Sequence, residues 1–191
     1  MPLLVYIHGF NSSPESFKAV KLGDWLTKNQ IEVEYQVPRL SPYPTTALTQ
    51  LENLVAANQP NQCCLIGSSL GGFFATYLVE KYGCRAVLIN PSVRPYESLQ
   101  AYLGENKNFH TGESYLLTDA HADELRAMDT HRFAKPENYW VLLQTGDETL
   151  DFKLAAAKYY RSPCVIQQGG DHSFQDFEQW IPRVLHFFGI Q

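Results

Sequence analysis

The chain has 191 residues, of which 45% are hydrophobic and 18% are charged, and its formal net charge is -5. That hydrophobic share excludes a chain too polar to form a core, and the length favours a single domain that buries about 70% of its unfolded surface. The negative charge and the lack of a Lys/Arg cluster argue against nucleic acid as a partner, because a phosphate backbone binds basic surfaces.

The N-terminal segment and the cysteines indicate in which cellular compartment the protein is expected. The segment MPLLVYIHGF (1–10) lacks the basic flank and the small-residue cleavage site of a signal peptide, and no apolar run is long enough to span a bilayer. The four cysteines form no Cys-x-x-Cys pair, so we expect buried, reduced thiols rather than a zinc or redox site. We therefore expect a cytoplasmic protein without a membrane span.

Short apolar runs rich in β-branched and aromatic residues alternate with segments of helical periodicity. Runs that are apolar on both faces are typical of strands buried in a parallel sheet. The predicted strands are 3–8, 32–37, 62–67, 85–90, 139–144 and 163–168, and the predicted helices are 14–29, 45–58, 70–82, 152–160 and 174–188. This alternation predicts an α/β fold with a doubly wound parallel sheet and helices on both faces.

Residues 91–138 are too many for a simple crossover between two strands. Their pattern predicts a small helical insertion over the C-terminal edge of the sheet, where α/β proteins bind ligands. We found no linker or internal repeat, so we expect residues 1–191 to form one domain that carries 91–138 as a cap-like insertion.

The stretch Gly67-Ser68-Ser69-Leu70-Gly71 holds two adjacent serines, and only Ser69 fits the pattern Gly-x-Ser-x-Gly. The pattern falls between a predicted strand and a predicted helix, which is the position of a nucleophile elbow. Such a turn strains the serine backbone, and the two glycines remove side chains that would collide. Ser69 is therefore the candidate nucleophile.

A serine nucleophile needs a histidine base and a carboxylate that orients the imidazole. His172 follows the last predicted strand after two glycines, so a tight turn can direct its ring toward Ser69. Asp147 comes early in the loop after the fifth predicted strand and is the favoured acid. Asp151 is an alternative acid, although an aspartate there could instead cap the following helix.

The same edge of the sheet offers an oxyanion hole and pocket residues. Its N–H donors would come from Leu70, directly after the candidate nucleophile, and from Phe10, in the loop after the first strand. Asn90 and Arg94 follow the fourth predicted strand, so they are candidates for the pocket lining. Arg94 could instead pair with Glu97.

Together these motifs resemble the α/β-hydrolase superfamily, and closely the small bacterial YqiA-type esterases. The resemblance covers essentially the whole chain and is carried by HGFNSSP (8–14), GSSLGG (67–72), INPSVRPYE (89–97), LLQTGDETLD (142–151) and GGDHSF (169–174). It implies an esterase with Ser69 as nucleophile, Asp147 as acid and His172 as base. It also implies a reduced α/β-hydrolase sheet of about six parallel strands in the order 2-1-3-4-5-6. In the wider superfamily the acid stands further beyond the loop glycine, which keeps Asp151 open.

The function we expect is hydrolysis of carboxylic esters with short to medium acyl groups, on a small-molecule ester or thioester and without a cofactor. An acyl-CoA thioesterase with the same triad is the first alternative, and it would need a basic patch beside the pocket. The scattered candidates for such a patch are Arg94, Lys107, Arg126 and Arg132. A catalytically silent, ligand-binding member of the fold is the second alternative.

A metal site has weak support in the sequence. Asp119, His121 and Asp123 are potential ligands, but they fall in a predicted helix, where alternate residues face apart. We therefore expect no bound metal.

Overall fold

The structure is a computed structural model that describes residues 1–58, 62–108 and 112–191. Its strands are β1 (Leu3–Ile7), β2 (Glu34–Gln36), β3 (Cys63–Ser68), β4 (Arg85–Ile89), β5 (Gly104–Lys107), β6 (Ser114–Leu117), β7 (Tyr139–Gln144) and β8 (Cys164–Gln167). Its α-helices are α1 (Phe17–Lys28), α2 (Pro44–Ala56), α3 (Leu70–Tyr82), α4 (Pro95–Ser98), α5 (Asp119–Ala127), α6 (Phe152–Lys158) and α7 (Ile181–Phe188).

Six of these strands form one parallel sheet in the order β2-β1-β3-β4-β7-β8. Counted along the chain, the six strands have the order 2-1-3-4-5-6, so the predicted α/β-hydrolase sheet is confirmed. Strands β1 and β3 lie inside the sheet and are buried at every position. Burial on both faces requires apolar residues in succession, which explains the unbroken run LLVYI.

Successive side chains of a strand point to opposite faces, and here they enter two separate cores. Val5 of β1 packs in a core with Leu78 of α3. Its neighbour Tyr6 packs on the other face with Leu22 of α1 and Val184 of α7. The helices therefore cover both faces and leave the carboxyl edge of the sheet for the site.

The helix boundaries show where local sequence signals are weakest. Helix α3 has the predicted bounds, whereas α1 begins at Phe17 rather than at Pro14. Ser13 forms a turn ahead of α1 instead, because its hydroxyl accepts the Glu15 N–H at 3.2 Å. The last predicted helix is shortened to α7 after a 3₁₀ turn, since Phe174 and Asp176 have φ values of 60° and 59° that end regular helix.

The segment 91–138 is not purely helical, which corrects the prediction for it. Besides α4, a 3₁₀ turn and α5, it contains β5 and β6, which pair as a two-stranded antiparallel sheet. Each strand has four residues, too short for its alternation to stand out from loop sequence. Residues 109–111 of the segment lie outside the described residues. That the segment acts as a cap stays a prediction.

Three cysteines are buried as expected, but the expectation was wrong for Cys164, which is exposed. Cys164 lies on β8, and β8 is an edge strand whose residues alternate between exposed and half-buried positions. Among the described residues, none of the helices has the length and apolar character needed to cross a bilayer.

Candidate active site

Ser69 stands at the sharp turn between β3 and α3. Its φ of 54° and ψ of −121° form a backbone conformation that only glycine adopts readily. The Ser69 N–H donates to Ile89 O at 3.1 Å, and Ser69 O accepts from the N–H groups of Gly72 at 2.9 Å and Ser92 at 3.0 Å. These backbone hydrogen bonds fix the strained turn.

Two glycines allow this turn to pack against the sheet. A Cβ atom on Gly67 would overlap the backbone of Gly71, and a Cβ atom on Gly71 would overlap the Ile7 carbonyl of β1. These neighbours are main-chain atoms that cannot move aside cheaply. The Gly-x-Ser-x-Gly spacing is therefore explained by the close approach of α3 to β1 and β3.

Ser69, His172 and Asp147 meet through hydrogen bonds. Ser69 Oγ lies 3.1 Å from His172 Nε2. His172 Nδ1 lies 2.9 Å from Asp147 Oδ2 and 3.0 Å from Oδ1. The Asp147 side chain is 2% exposed and that of His172 is 25% exposed. A buried carboxylate at Nδ1 holds the hydrogen there, which leaves Nε2 to accept the serine proton.

The Asp147 carboxylate is stabilised in its ionised form. Burial works to raise its pKa, but hydrogen bonds from His172 and from two backbone N–H groups lower the pKa below its ordinary value. The backbone donors are Leu150 N–H at 2.8 Å and Thr149 N–H at 2.9 Å, both to Oδ1. The carboxylate therefore stays charged beside the imidazole at neutral pH.

The loops that carry Asp147 and His172 touch through their backbones. Gly146 N–H donates to Gly169 O at 2.8 Å, and a Cβ atom on Gly146 would overlap Gly170 O. A Glu148 carboxylate oxygen accepts the His172 N–H at 3.0 Å. Glycine at these positions therefore brings the acid loop and the histidine loop into contact.

The buried side-chain amides of Gln144 and Asn90 bond the loop that carries His172 (169–175), which we call the histidine loop. Gln144 is fully buried, and its Oε1 accepts the N–H groups of Asp171 at 3.1 Å and Gln175 at 2.9 Å. Asn90 Nδ2 donates to Asp171 O at 3.0 Å and His172 O at 3.3 Å, while its Oδ1 accepts the Gln144 N–H at 3.0 Å. Asn90 therefore supports this loop rather than lining the pocket.

The role of Gln144 escaped the sequence analysis, although a signal was present. A glutamine ends the apolar strand YWVLLQ, and it is buried where the strand meets the loop. A polar side chain at such a place needs partners. Its partners lie in a loop 27 to 31 residues further along the chain, and the local sequence does not predict that contact.

Phe10 and Leu70 are the residues predicted to supply the N–H groups of an oxyanion hole. Leu70 opens α3, so its N–H has no acceptor within the helix. Across the described chain, neither N–H is hydrogen-bonded. Gly9 packs directly on the serine, since a Cβ atom there would lie 3.1 Å from Ser69 Cβ. The loop that carries Phe10 therefore packs against the Ser69 side chain, and Leu70 directly follows Ser69 in the chain.

The loop after β1 is held from two sides. His8 Nε2 accepts the Leu40 N–H at 3.3 Å. Asn11 has a φ of 52°, and its side-chain oxygen accepts a hydrogen bond from Tyr115 Oη on β6. The hairpin of segment 91–138 is thus tied to the loop that carries Phe10.

An apolar cavity of about 450 Å³ opens beside Ser69. Much of its wall comes from α4, α5 and the 3₁₀ turn Leu99–Tyr102, all in segment 91–138. Its lining residues include Phe10, Leu70, Pro95, Leu99, Tyr102, Leu125 and Leu150. We call this space the apolar cavity.

The remaining predicted residues do not join the Ser69 cluster. Asp151 is the N-cap of α6, and its carboxylate accepts the Lys153 N–H at 3.0 Å. Arg94 pairs with Glu97 at 3.1 Å and is exposed. For both residues, the structure shows the helix-capping and ion-pairing contacts that the sequence offered as the alternative.

His121 takes part in a helix cap. Its Nδ1 accepts the Thr118 N–H at 3.0 Å, ahead of α5, and its ring stacks on Tyr43 with 5.1 Å between centroids. Within the described ranges, no three His, Cys, Asp or Glu side chains are grouped to hold a metal ion.

The sheet order, the strained serine turn and the loops at the carboxyl edge define a protein of the α/β-hydrolase fold. The chain belongs to the uncharacterised protein family UPF0227, whose sequence profile matches residues 3–189. The UPF0227 protein of Serratia proteamaculans is 23% identical over 189 residues, a match that covers 97% of this chain and 98% of that protein.

Solved structures share the fold at low sequence identity. Alpha/beta hydrolase domain-containing protein 10 from mouse has a TM-score of 0.72 and 15% identity, over 99% of this chain and 90% of that one. The esterase domain of a Rhodothermus marinus protein has a TM-score of 0.69 and 14% identity, over 98% of this chain and 85% of that one. The resemblance to the α/β-hydrolase superfamily is thereby confirmed at the level of fold.

Proposed function

We propose that the protein is a serine hydrolase that cleaves carboxylic esters with short to medium acyl groups through an acyl-enzyme. The observation that carries this proposal is the hydrogen-bonded series from Ser69 Oγ to His172 Nε2 and from His172 Nδ1 to Asp147. A hydroxyl activated in this way is a nucleophile for acyl transfer.

In the first half of the reaction, Ser69 Oγ attacks the ester carbonyl carbon and its proton passes to His172 Nε2. The N–H groups of Phe10 and Leu70 donate to the resulting oxyanion. The buried Asp147 carboxylate stabilises the imidazolium. The carbon–oxygen bond to the alcohol then breaks, and His172 gives its proton to the departing oxygen.

In the second half, His172 takes a proton from water, and the hydroxide formed attacks the acyl carbon of the acyl-enzyme. The bond to Ser69 Oγ breaks, and the serine recovers the proton from His172. The carboxylic acid leaves, and no cofactor is required by this sequence of steps.

The apolar cavity supports an acyl substrate. A volume of about 450 Å³ with Leu, Pro and Tyr side chains in its wall fits an alkyl chain next to the nucleophile. The thioesterase alternative has less support, because Arg94 and Arg126, two of its candidate cations, each pair with an acidic residue three positions away in sequence.

The test compares two adjacent serines. Ser69→Ala should lower kcat for p-nitrophenyl butyrate by about 10⁴-fold or more without changing the fold, as in other triads. Ser68→Ala is the matched control: Ser68 is buried one residue earlier, at the end of β3, and should keep activity within a few fold of the parent. A Ser69→Ala variant as active as the parent would reject the proposal.

A further inference from the structure

A second cavity reaches Ser69 from the other side. It has a volume of about 230 Å³, and its wall includes Ser69, His172, Ser173 and the first residues of α1. It shares Phe10 and Ser69 with the apolar cavity, so the nucleophile lies where the two spaces meet. We call it the α1 cavity.

The position of His172 distinguishes the two cavities. His172 lines the α1 cavity and does not line the apolar cavity. The imidazole must reach the departing oxygen to protonate it. The leaving group of an ester therefore belongs on the His172 side, in the α1 cavity, with the acyl group in the apolar cavity.

Lys18 brings a positive charge to the α1 cavity. It lies in the first turn of α1, and its Nζ donates to Ser173 O at 2.7 Å. Within the described residues, no carboxylate lies within 4.0 Å of Nζ. Lys21, one turn further along, pairs with Glu178 at 3.4 Å. An ammonium has three donors, so Lys18 retains donors for a ligand.

Burial lowers the pKa of Lys18 to about 8, although Asp171 and Asp147 act to raise it. The side chain is therefore mainly an ammonium at neutral pH. Neither of those carboxylates lines the α1 cavity, and its described lining contains no acidic residue. The Asp171 carboxylate also accepts a hydrogen bond from Gln175 Nε2 at 2.8 Å.

The start of α1 adds to the positive character. Its first turn contains no acidic side chain, and the N-cap Ser16 hydroxyl caps no backbone N–H. Ser16 lines the α1 cavity, and its Oγ is enclosed without a hydrogen-bond partner among the described residues. A helix N-terminus favours negative charge, and an enclosed hydroxyl without a partner is rare in native proteins.

We infer that the preferred substrate is an ester whose leaving alcohol carries an anionic group, a carboxylate or a phosphate, which Lys18 binds in the α1 cavity. The inference rests on the proposed function and specifies its substrate class. Lys18 recognises the part of the substrate that departs. The reaction itself is unchanged.

The test uses three butyrate esters. Carboxymethyl butyrate releases glycolate, carbamoylmethyl butyrate releases the neutral glycolamide, and 2-(phosphonooxy)ethyl butyrate releases a phosphorylated alcohol. Butyrate release gives kcat/KM for each ester, and the ratio of an anionic to the neutral ester measures selectivity. Differences in intrinsic reactivity cancel when this ratio is compared between the parent and a variant.

The parent should favour at least one anionic ester, and Lys18→Met should lower that ratio about ten-fold or more, because it removes a charge-assisted hydrogen bond. Because Lys18 also bonds the Ser173 carbonyl next to His172, any general loss of activity affects the neutral ester equally, and the selectivity ratio is therefore the readout. Lys18→Arg should keep the preference. The matched control Lys21→Met removes a charge from the same helix outside the cavity and should leave the ratio unchanged. The ester that responds identifies the carboxylate or the phosphate.

Two results would overturn the inference while leaving the proposed function in place. One is equal selectivity in the parent and Lys18→Met. The other is a loss of activity on all three esters alike, which would make Lys18 a support for the Ser173 carbonyl alone. If the parent also fails to hydrolyse p-nitrophenyl butyrate, the proposed function fails and the inference falls with it.

Discussion

The strand-end loops and the segment 91–138 border the same apolar cavity, but they are built in different ways. In the strand-end loops (68–70, 144–151 and 169–175), glycine backbones touch and the buried amides of Gln144 and Asn90 satisfy the surrounding N–H and carbonyl groups. The segment 91–138 consists of short elements whose outer positions are largely exposed.

Polar contacts also attach the segment to the rest of the chain. Asp129, whose side chain is 4% exposed, accepts a hydrogen bond from Lys158 Nζ of α6 at 2.6 Å and, within the segment, one from Tyr96 Oη at 2.9 Å. Tyr115 bonds Asn11 in the loop after β1. The segment also contributes Leu99 and Leu125 to the hydrophobic core, and it contributes Tyr102, which is 46% exposed, to the cavity wall. We propose that the strand-end loops carry the chemistry of the proposed reaction and that the segment sets its acyl preference.

The largest expected effect comes from removing the Gln144 side chain, which supports the loop that carries His172. Gln144→Leu removes the acceptor of the partly buried N–H groups of Asp171 and Gln175. We expect kcat for p-nitrophenyl butyrate to fall about 100-fold, since small displacements of a base are costly, with KM nearly unchanged. The free energy of unfolding should fall by about 2 kcal/mol.

Gln167→Leu is the matched control for Gln144→Leu. Gln167 bonds Gln144 Nε2 at 3.0 Å on the neighbouring strand but makes no hydrogen bond to the histidine loop. It should keep kcat within a few fold of the parent. A Gln144→Leu variant with the parent's kcat, or one that changes KM instead, would contradict the positioning role of Gln144.

A smaller effect should follow from widening the apolar cavity. Tyr102 lines it, packs edge-on against Phe10 with 5.1 Å between centroids, and is itself 46% exposed. Tyr102→Ala should raise the ratio of kcat/KM for octanoate over butyrate p-nitrophenyl esters by about 3- to 10-fold, the scale of a few methylene contacts. The kcat for butyrate should change little.

Tyr160→Ala is the matched control, because Tyr160 is 79% exposed and lies outside the lining of the apolar cavity. Tyr160→Ala should leave the ratio of kcat/KM for the octanoate over the butyrate ester as it is in the parent. If Tyr102→Ala instead abolished activity on both esters, the segment would take part in the chemistry and the division between the two regions would be lost.

The sequence predicted the strand-end loops better than the segment 91–138. Periodicity and glycine spacing identified the six strands and which side chains leave their carboxyl ends, and parallel strands bring those ends to one edge. The meeting of Ser69, His172 and Asp147 follows from that topology, while their catalytic role stays a proposal.

The features that escaped prediction depend on contacts between distant segments. The β5–β6 hairpin is too short to show its alternation, and the role of Asn90 appears only when the loop of His172 lies above it. Lys18 is an ordinary helix lysine in sequence, and only the fold places it beside Ser173. Local patterns report propensity, whereas these roles come from tertiary packing.

Covalent labelling with a fluorophosphonate tests the central claim most directly, because such a probe reacts with a serine only when its hydroxyl is activated by a base. Intact mass and peptide mapping should find one adduct, on Ser69, and His172→Ala should slow its formation strongly while Ser68→Ala should not. A native protein that stays unlabelled, or that carries the label on another residue, would contradict the account.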